Sequence, residues 1–490
     1  MADLSRRDAV LVAVAATTAT VCFTAPAQPG SGAVATTLDP AVLGQWSEPF
    51  ELGGIAVHAT LTRTGEVLMF QYVEGDPSDQ TSYIWTWDHR TGSLRQAPIT
   101  YDRELFCAGH AVLPGGRVFV AGGHDHDREF PVGVRETDTY DPAARTWTPG
   151  PVLRRKRWYP TTVAMPNGRV LLFGGLEGAG DPVKIVEEFH PVANTIRRLP
   201  STANRLMGTY PRMHLLANGK VVRAGPKQVA LSFDPARSTW AKLGRMRNGA
   251  RYLGSSVLLP GGRRVLVVGG KSLKGPPRRT AEILDTSLAR PRWRYTGSLT
   301  HPRLDANAVI LPDGRVLVVG GGAQHTDVNP VLVPELYNPA TERWVSLAPQ
   351  LGSRMYHSTA LLLPDGRVLS AGQDYGDLAT FGEVFSPPYL FKGPRPTIAS
   401  MPRRVRYGDR FQIATPDAAD IRRVSLVRPG SVTHAVDFEQ RYVRLRFSAA
   451  AGRLTVRVPG RATVAPPGHY MLFLVNSAGV PSTAGWMRVR

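Results

Sequence analysis

This 490-residue sequence predicts an all-β fold, a seven-bladed β-propeller followed by a β-sandwich. Three observations carry that prediction. A turn followed by an apolar strand recurs seven times, glycine and proline punctuate the whole chain, and the recurrence stops about one hundred residues before the end. Composition agrees with a folded chain: 42% of residues are hydrophobic, enough for a large core.

The propeller rests on the turn repeat. It appears as Leu113-Pro114-Gly115-Gly116-Arg117-Val118, Met165-Pro166-Asn167-Gly168-Arg169-Val170 and Leu216-Ala217-Asn218-Gly219-Lys220-Val221. It returns at Leu259-Pro260-Gly261-Gly262, Leu311-Pro312-Asp313-Gly314 and Leu363-Pro364-Asp365-Gly366, after a weaker first copy at Thr62-Arg63-Thr64-Gly65. Five of the six steps between turn glycines are 51 or 52 residues, and one is 43. Asn-Gly, Asp-Gly and Gly-Gly pairs suit two-residue hairpins, whose central residues need positive φ. A third strand and a tryptophan-marked fourth follow, as in Tyr140-Asp141-Pro142 to Trp147, Phe233-Asp234-Pro235 to Trp240 and Tyr337-Asn338-Pro339 to Trp344. Four strands per fifty residues is the kelch pattern, and seven copies close a ring. The last copy lacks its tryptophan, which predicts that Gln45-Trp46 supplies the missing outer strand.

Beyond Pro394 the repeat ends. Short apolar runs at Phe411 to Ala414, Val424 to Val427, Val443 to Phe447, Leu454 to Val458 and Met471 to Val475 predict an immunoglobulin-like sandwich. The organisation expected is a leader over 1–37, a propeller over 38–393 and a sandwich over 394–490.

The leader has a charged start at Arg6-Arg7, an apolar run from Ala9 to Val14 and an Ala25-Pro26-Ala27 cleavage pattern. These are the parts of an export signal, and the arginine pair suits a twin-arginine route. The expected location is secreted or extracytoplasmic, with an uncleaved N-terminal membrane anchor as the alternative. A formal charge of +20 comes from scattered lysines and arginines with no basic stripe interleaved with aromatics. Nucleic acid is therefore not the expected partner, whereas cell-wall or other anionic glycans fit such a surface. Only Cys22 and Cys107 are present, so a processed chain keeps one thiol and forms no internal disulfide.

The repeat also serves as a ruler, because equal offsets from the turn mark equal heights around the ring. Nine residues before the turn glycines stand Ala56, Cys107, Tyr159, Tyr210, Leu253, Asp305 and His357, at the face opposite the hairpins. A lone thiol, tyrosines and a histidine share one level. Cys107 and Tyr159 are on consecutive blades, and Tyr210 is two blades from Cys107. For each residue alone, a packed core role is the plainer reading; the shared offset points to a site.

Four segments then carry a resemblance: Phe106-Cys107-Ala108-Gly109-His110, Arg157-Trp158-Tyr159-Pro160-Thr161, Met355-Tyr356-His357-Ser358 and Pro466-Pro467-Gly468-His469-Tyr470. In order on a seven-fold repeat, they resemble the active-site segments of copper-radical oxidases, the family of galactose oxidase and glyoxal oxidase. Ser431-Val432-Thr433-His434 and the stretch Asp437 to Arg441 also resemble that family's C-terminal domain. The resemblance implies a copper cofactor held by Tyr159, Tyr356, His357 and His469, and a protein-derived radical cofactor in which a thioether joins Cys107 to Tyr159. It implies oxidation of a primary alcohol, aldehyde hydrate or carbohydrate by dioxygen, with hydrogen peroxide released and Tyr356 as general base. His469 must then reach the ring from the second domain, so a sandwich loop is expected to plug the central channel. Tyr356 and His357 are consecutive and face one metal only if the strand entry is irregular. Trp158 is read either as tuning the radical or as packing between blades. The loop His124-Asp125-His126-Asp127 is read as a solvated polar loop on the site's face, with shaping the substrate mouth or binding another ion as alternatives. The rival reading of the whole is a catalytically silent propeller that binds a glycan or a protein.

Overall fold

A computed structural model of the chain describes residues 39–72, 82–125, 132–178, 180–374 and 376–490. The expected leader and the residues His126 and Asp127 lie outside them. Among the described residues no helix is long and apolar enough to cross a membrane.

Seven blades surround a central axis, each an antiparallel sheet entered at its innermost strand. The inner strands are His58–Leu61, Gly109–Val112, Thr161–Ala164, Met213–Leu215, Ser255–Leu258, Asn307–Ile310 and Thr359–Leu362. The short 43-residue step has a local cause. In the fourth blade five residues separate Val221–Arg223 from Val229–Asp234, whereas thirteen separate the equivalent strands Val170–Phe173 and Glu187–His190 of the third.

The N-terminal segment closes the ring as expected. Gln45 and Trp46 pair with Ser386 and Phe385 of the last blade. The Trp46 ring lies 4.9 Å from Phe385 at 40°, and the same geometry recurs at Tyr140–Trp147, Phe233–Trp240 and Tyr337–Trp344. Each indole also donates its N–H across the blade boundary: Trp46 to Ala348 O, Trp147 to Ala97 O, Trp240 to Ala203 O and Trp344 to Gly297 O, at 2.7–2.9 Å. One side chain thus packs within its blade and ties it to the preceding one.

A second staple repeats in four blades. Arg157–Glu187, Arg251–Glu282, Arg303–Glu335 and Arg354–Glu383 are ion pairs of 2.7–2.9 Å whose side chains are essentially inaccessible. Their carboxylates also accept the backbone N–H of Arg154, Arg247, Thr300 and Leu351. Burying both charges is costly, and the dense hydrogen bonding is what offsets it. Each arginine stands two or three residues before the ring level that contains Cys107 and Tyr159, so the pairs anchor the loops that carry that level.

In the sandwich a seven-strand path runs Arg404–Val405, Gly485–Val489, Gly468–Asn476, Ile421–Arg428, Arg441–Ala450, Arg453–Arg457 and Arg410–Ala414. Its core includes Ile413, Leu426, Leu454, Tyr470, Leu472 and Met487. On the opposite face of the strand Gly468–Asn476, Met471 and Phe473 join the propeller core. Between Arg428 and Arg441 the chain leaves the sandwich as a hairpin, Ser431–Thr433 and Val436–Asp437. That hairpin enters the channel and pairs with the inner strand of the first blade, placing His58 opposite Thr433 and Thr60 opposite Ser431.

Candidate redox and metal centre

The ring level found by counting from the turns has a common backbone conformation. Cys107, Tyr159, Tyr210, Leu253, Asp305 and His357 all lie in the left-handed region, with φ from 34° to 64°. For residues with a Cβ this costs about 1–2 kcal/mol each, so something must hold it. Bonds between blades do so: Tyr159 donates its N–H to Cys107 O (3.0 Å), Tyr210 to Tyr159 O (2.8 Å) and Asp305 to Leu253 O (2.8 Å). The reversal of φ just before each inner strand turns these side chains toward the axis.

The same reversal lets two consecutive residues share a site. Tyr356 and His357 precede the strand Thr359–Leu362, and their rings lie 4.0 Å apart at 34°. The Tyr356 hydroxyl is 3.3 Å from that of Tyr159. Cys107 is buried in a cluster with Ile55, Val57 and Phe106, and Tyr159 packs against that cluster. Tyr210, although level with them, donates its hydroxyl to Ala108 O at 2.9 Å and serves the wall of the channel.

The sandwich does plug the channel, but with a different histidine from the one expected. His469 lies at the start of the regular strand Gly468–Asn476, paired in register with Arg488 at the hairpin end of the molecule. Burial and then the charges of Arg488, Arg63, Arg428 and Arg404 hold it near pKa 4. Locked in that ladder among cations, it cannot meet Tyr159. The histidine that does is His434, at the tip of the inserted hairpin. His434 and Ala435 form its two-residue turn, with φ of 51° and 58°. This is the primed-turn requirement that Asn-Gly normally meets, and a His-Ala pair meets it only under strain of the kind that gathers at functional sites. The His434 ring lies 4.3 Å from His357, 5.1 Å from Tyr356 and 5.2 Å from Tyr159.

Hydrogen bonding assigns both tautomers. Thr433 Oγ1 donates to Val57 O at 2.8 Å, so it accepts from His434 Nδ1 at 2.5 Å. The lone pair on His434 Nε2 then faces Cys107 Sγ at 3.6 Å. His357 gives its Nδ1–H to Asp374 at 2.5 Å, and its Nε2 is buried with no hydrogen-bond partner among the described residues. Ligand atoms of Cys107, His357 and His434 lie within 4.8 Å of one another. Burial pushes the Cys107 thiol and the Tyr159 and Tyr356 phenols well above their usual pKa values, and pulls His434 well below. His434 is therefore a neutral imidazole with a lone pair to offer, and a nearby cation is what would release the phenolic protons. Two imidazole nitrogens and two phenol oxygens around one space suit copper, and the unpartnered Nε2 of His357 is the atom such an ion would satisfy.

Two further histidines brace the thiol. Cys107 N–H donates to His58 Nε2 (3.0 Å), which places the His58 proton on Nδ1 and directs it to His110 Nε2 (3.1 Å). His110 Nδ1 in turn bonds Ser431 Oγ of the inserted hairpin at 2.5 Å. His58 is stacked on Phe70 at 4.3 Å and 9°. This chain of bonds ties the first two blades and the plug to the backbone of Cys107.

Trp158, Tyr159, Tyr356 and His325 are partly exposed and mark the mouth. Trp158 stacks on Tyr159 at 4.6 Å and 28°, and His124 packs on Trp158 at 4.7 Å. His124 is buried, so the start of its loop belongs to the wall of the site and is not a solvated loop. Over Tyr356 stands His325, edge-on at 5.2 Å, with its Nδ1 2.8 Å from an Asp305 carboxylate oxygen. The sequence reading passed over His325, Asp374, His58 and His434. A signal was present for one of them, His434, in the segment Ser431 to His434, and Asp305, which His325 faces, stood on the common level.

Comparison with known proteins bears on this arrangement. Residues 71–389 match the model of the glyoxal oxidase N-terminus, and 395–489 match the galactose oxidase-like early set domain. A galactose oxidase of Gibberella zeae is 29% identical over 91% of this chain and 71% of its own length. The aldehyde oxidase GLOX of Vitis pseudoreticulata is 28% identical, covering 91% of this chain and 97% of that protein. A solved fungal alcohol oxidase in complex with copper superposes with a TM-score of 0.82 at 27% identity, over 91% of this chain and 99% of that one.

Proposed function

Since this chain belongs to the copper-radical oxidase family, we propose that it oxidises a primary alcohol or an aldehyde hydrate with dioxygen, releasing an aldehyde or acid and hydrogen peroxide. The observation that carries this reading is the meeting of Cys107, Tyr159, Tyr356, His357 and His434 at one end of the channel. In this account Tyr159 and Tyr356 oxygens with His357 and His434 Nε2 hold the metal. Copper bound there supplies one-electron redox chemistry and a Lewis acid for the substrate oxygen. The Tyr356 oxygen takes the hydroxyl proton as general base. Tyr159, oxidised by one electron, removes hydrogen from the adjacent carbon. Across the turnover the substrate loses two hydrogens, and dioxygen gains them as hydrogen peroxide.

The thiol has its own part. A bond from Cys107 Sγ to the Tyr159 ring costs one S–H and one C–H, and dioxygen accepts that pair as peroxide. The sulfur donates electron density to the phenol and eases its oxidation. The five residues named share a common space, which a binding surface does not require. The reading includes export through residues 1–37 and a basic exterior that attracts acidic polymers; N-terminal sequencing of secreted protein checks the first.

Peroxide formation and oxygen uptake on small primary alcohols and aldehydes test the oxidase reading. The copper-loaded protein is expected to turn over at least one, and Cys107→Ala to keep copper while losing most turnover. Full activity in that variant would contradict the radical step; a copper-loaded protein inert toward all of them would favour the silent binder.

A further inference from the structure

At the opposite end of the inner strands, between the sandwich and the hairpins of the first two blades, lies a groove of about 1020 Å³. Arg63, Arg403, Arg404, His469, Trp486 and Arg488 line it, and no aspartate or glutamate among the described residues does. Strand register builds the row. Arg404 lies opposite Arg488, and Arg488 lies opposite His469. Trp486 and Arg488 share one face of their strand, because the intervening Met487 and the following Val489 point into the sandwich core.

Such a row opposes stability. Like charges directly across a strand pair repel, and burial followed by the charges of Arg404, Arg490 and Arg63 pushes Arg488 below its usual pKa. Arg63 is partly neutralised by Asp141 at 3.2 Å. Arg403, Arg404 and Arg488 have no ion pair with a carboxylate among the described residues. Arg488 Nε and His469 Nδ1 are buried without hydrogen-bond partners among the described residues. An anion seated here would relieve the repulsion.

We propose that this groove binds an acidic glycan, a polysaccharide bearing carboxylate or phosphate groups. Guanidinium forks match either group, and the single indole offers a platform for one sugar face. Single-stranded nucleic acid is less well matched, since it calls for successive stacking aromatics and, among the described residues, Trp486 is the one aromatic lining residue besides His469. A polymer held here leaves the mouth around Trp158 and Tyr356 open, so the enzyme would be tethered while small substrates are oxidised. The inference does not depend on the oxidase reading.

The test is calorimetric titration of the full chain with polygalacturonate, poly(glycerol phosphate), a neutral galactan and a single-stranded oligonucleotide, at low and high salt. One or both acidic glycans are expected to bind, less tightly as salt rises, and the tighter of the two identifies the anionic group. The neutral galactan is expected not to bind. Arg404→Gln with Arg488→Gln should weaken binding at least about tenfold, with an unchanged or raised melting temperature and unchanged turnover. Trp486→Leu should weaken the polymer while leaving inorganic phosphate binding unchanged. Equal binding by the double variant, a lowered melting temperature for it, or tighter binding of the oligonucleotide would each overturn the proposal.

Discussion

Replacing the two tail histidines one at a time separates the geometry seen here from the simpler reading of the sequence. His434 presents Nε2 beside Cys107 and faces the rings of Tyr159, Tyr356 and His357, whereas His469 sits at the other end of the channel among arginines. Groups that only orient a metal ligand change affinity by about 10–100-fold when lost. Removal of a ligand should exceed that range, so His434→Ala is expected to weaken Cu(II) binding by more than about 100-fold, or about 2.8 kcal/mol. His469→Ala should stay within about twofold. The assay is competition against a chelator of known affinity at pH 7 without oxygen, so that no crosslink forms during titration. Circular dichroism on both variants confirms folding. Comparable losses in the two variants, or undiminished binding in His434→Ala, would refute the assignment.

Three other outcomes follow from named contacts. Asp374→Asn removes the carboxylate that takes the Nδ1 proton of His357, and copper affinity should fall by about 10–100-fold in the same titration. Glu282→Gln leaves Arg251 buried without its counter-charge in the fifth blade, away from the site; chemical denaturation should show a loss of about 3–5 kcal/mol, with turnover per folded molecule unchanged. His110 is fully buried with a pKa of about 3, below its unfolded value of about 6.5. The unfolded chain therefore takes the proton first, and this contribution to stability drains away as pH falls from about 6.5 toward 3. Between pH 8 and pH 5, His110→Gln should lose about 2 kcal/mol less than the unsubstituted protein, read from denaturation curves of the metal-free chain.

The propeller was legible because its information is local and repeated. Every hairpin carries its own turn residues, and the Trp46 segment could be matched to the last blade by the one tryptophan that blade lacked. Counting from those turns also found the redox level, since six of its seven residues share one left-handed conformation at one offset. What stayed hidden depends on distant chain. His434 occupies a turn without the usual Asn-Gly signature, and only the pairing of Ser431–Thr433 with His58–Leu61 reveals that the hairpin leaves the sandwich. His469, following Pro466-Pro467-Gly468, looked like a loop residue but begins a nine-residue strand. The buried Arg–Glu staples are separated by about thirty residues, and nothing in either local segment announces its partner. The solvated reading of His124 failed because Phe106 and Trp158 cover the ring.

Peptide mass analysis after copper loading in air reaches the centre of the account most directly. The thiol of Cys107 and the ring of Tyr159 are held against each other by the Tyr159 N–H bond to Cys107 O and by the shared turn of backbone. The expected product is one linked peptide carrying both residues, two hydrogens lighter than its parts, and absent when copper or oxygen is withheld. Recovery of Cys107 as an intact thiol, still open to alkylation after the protein is unfolded, would contradict it.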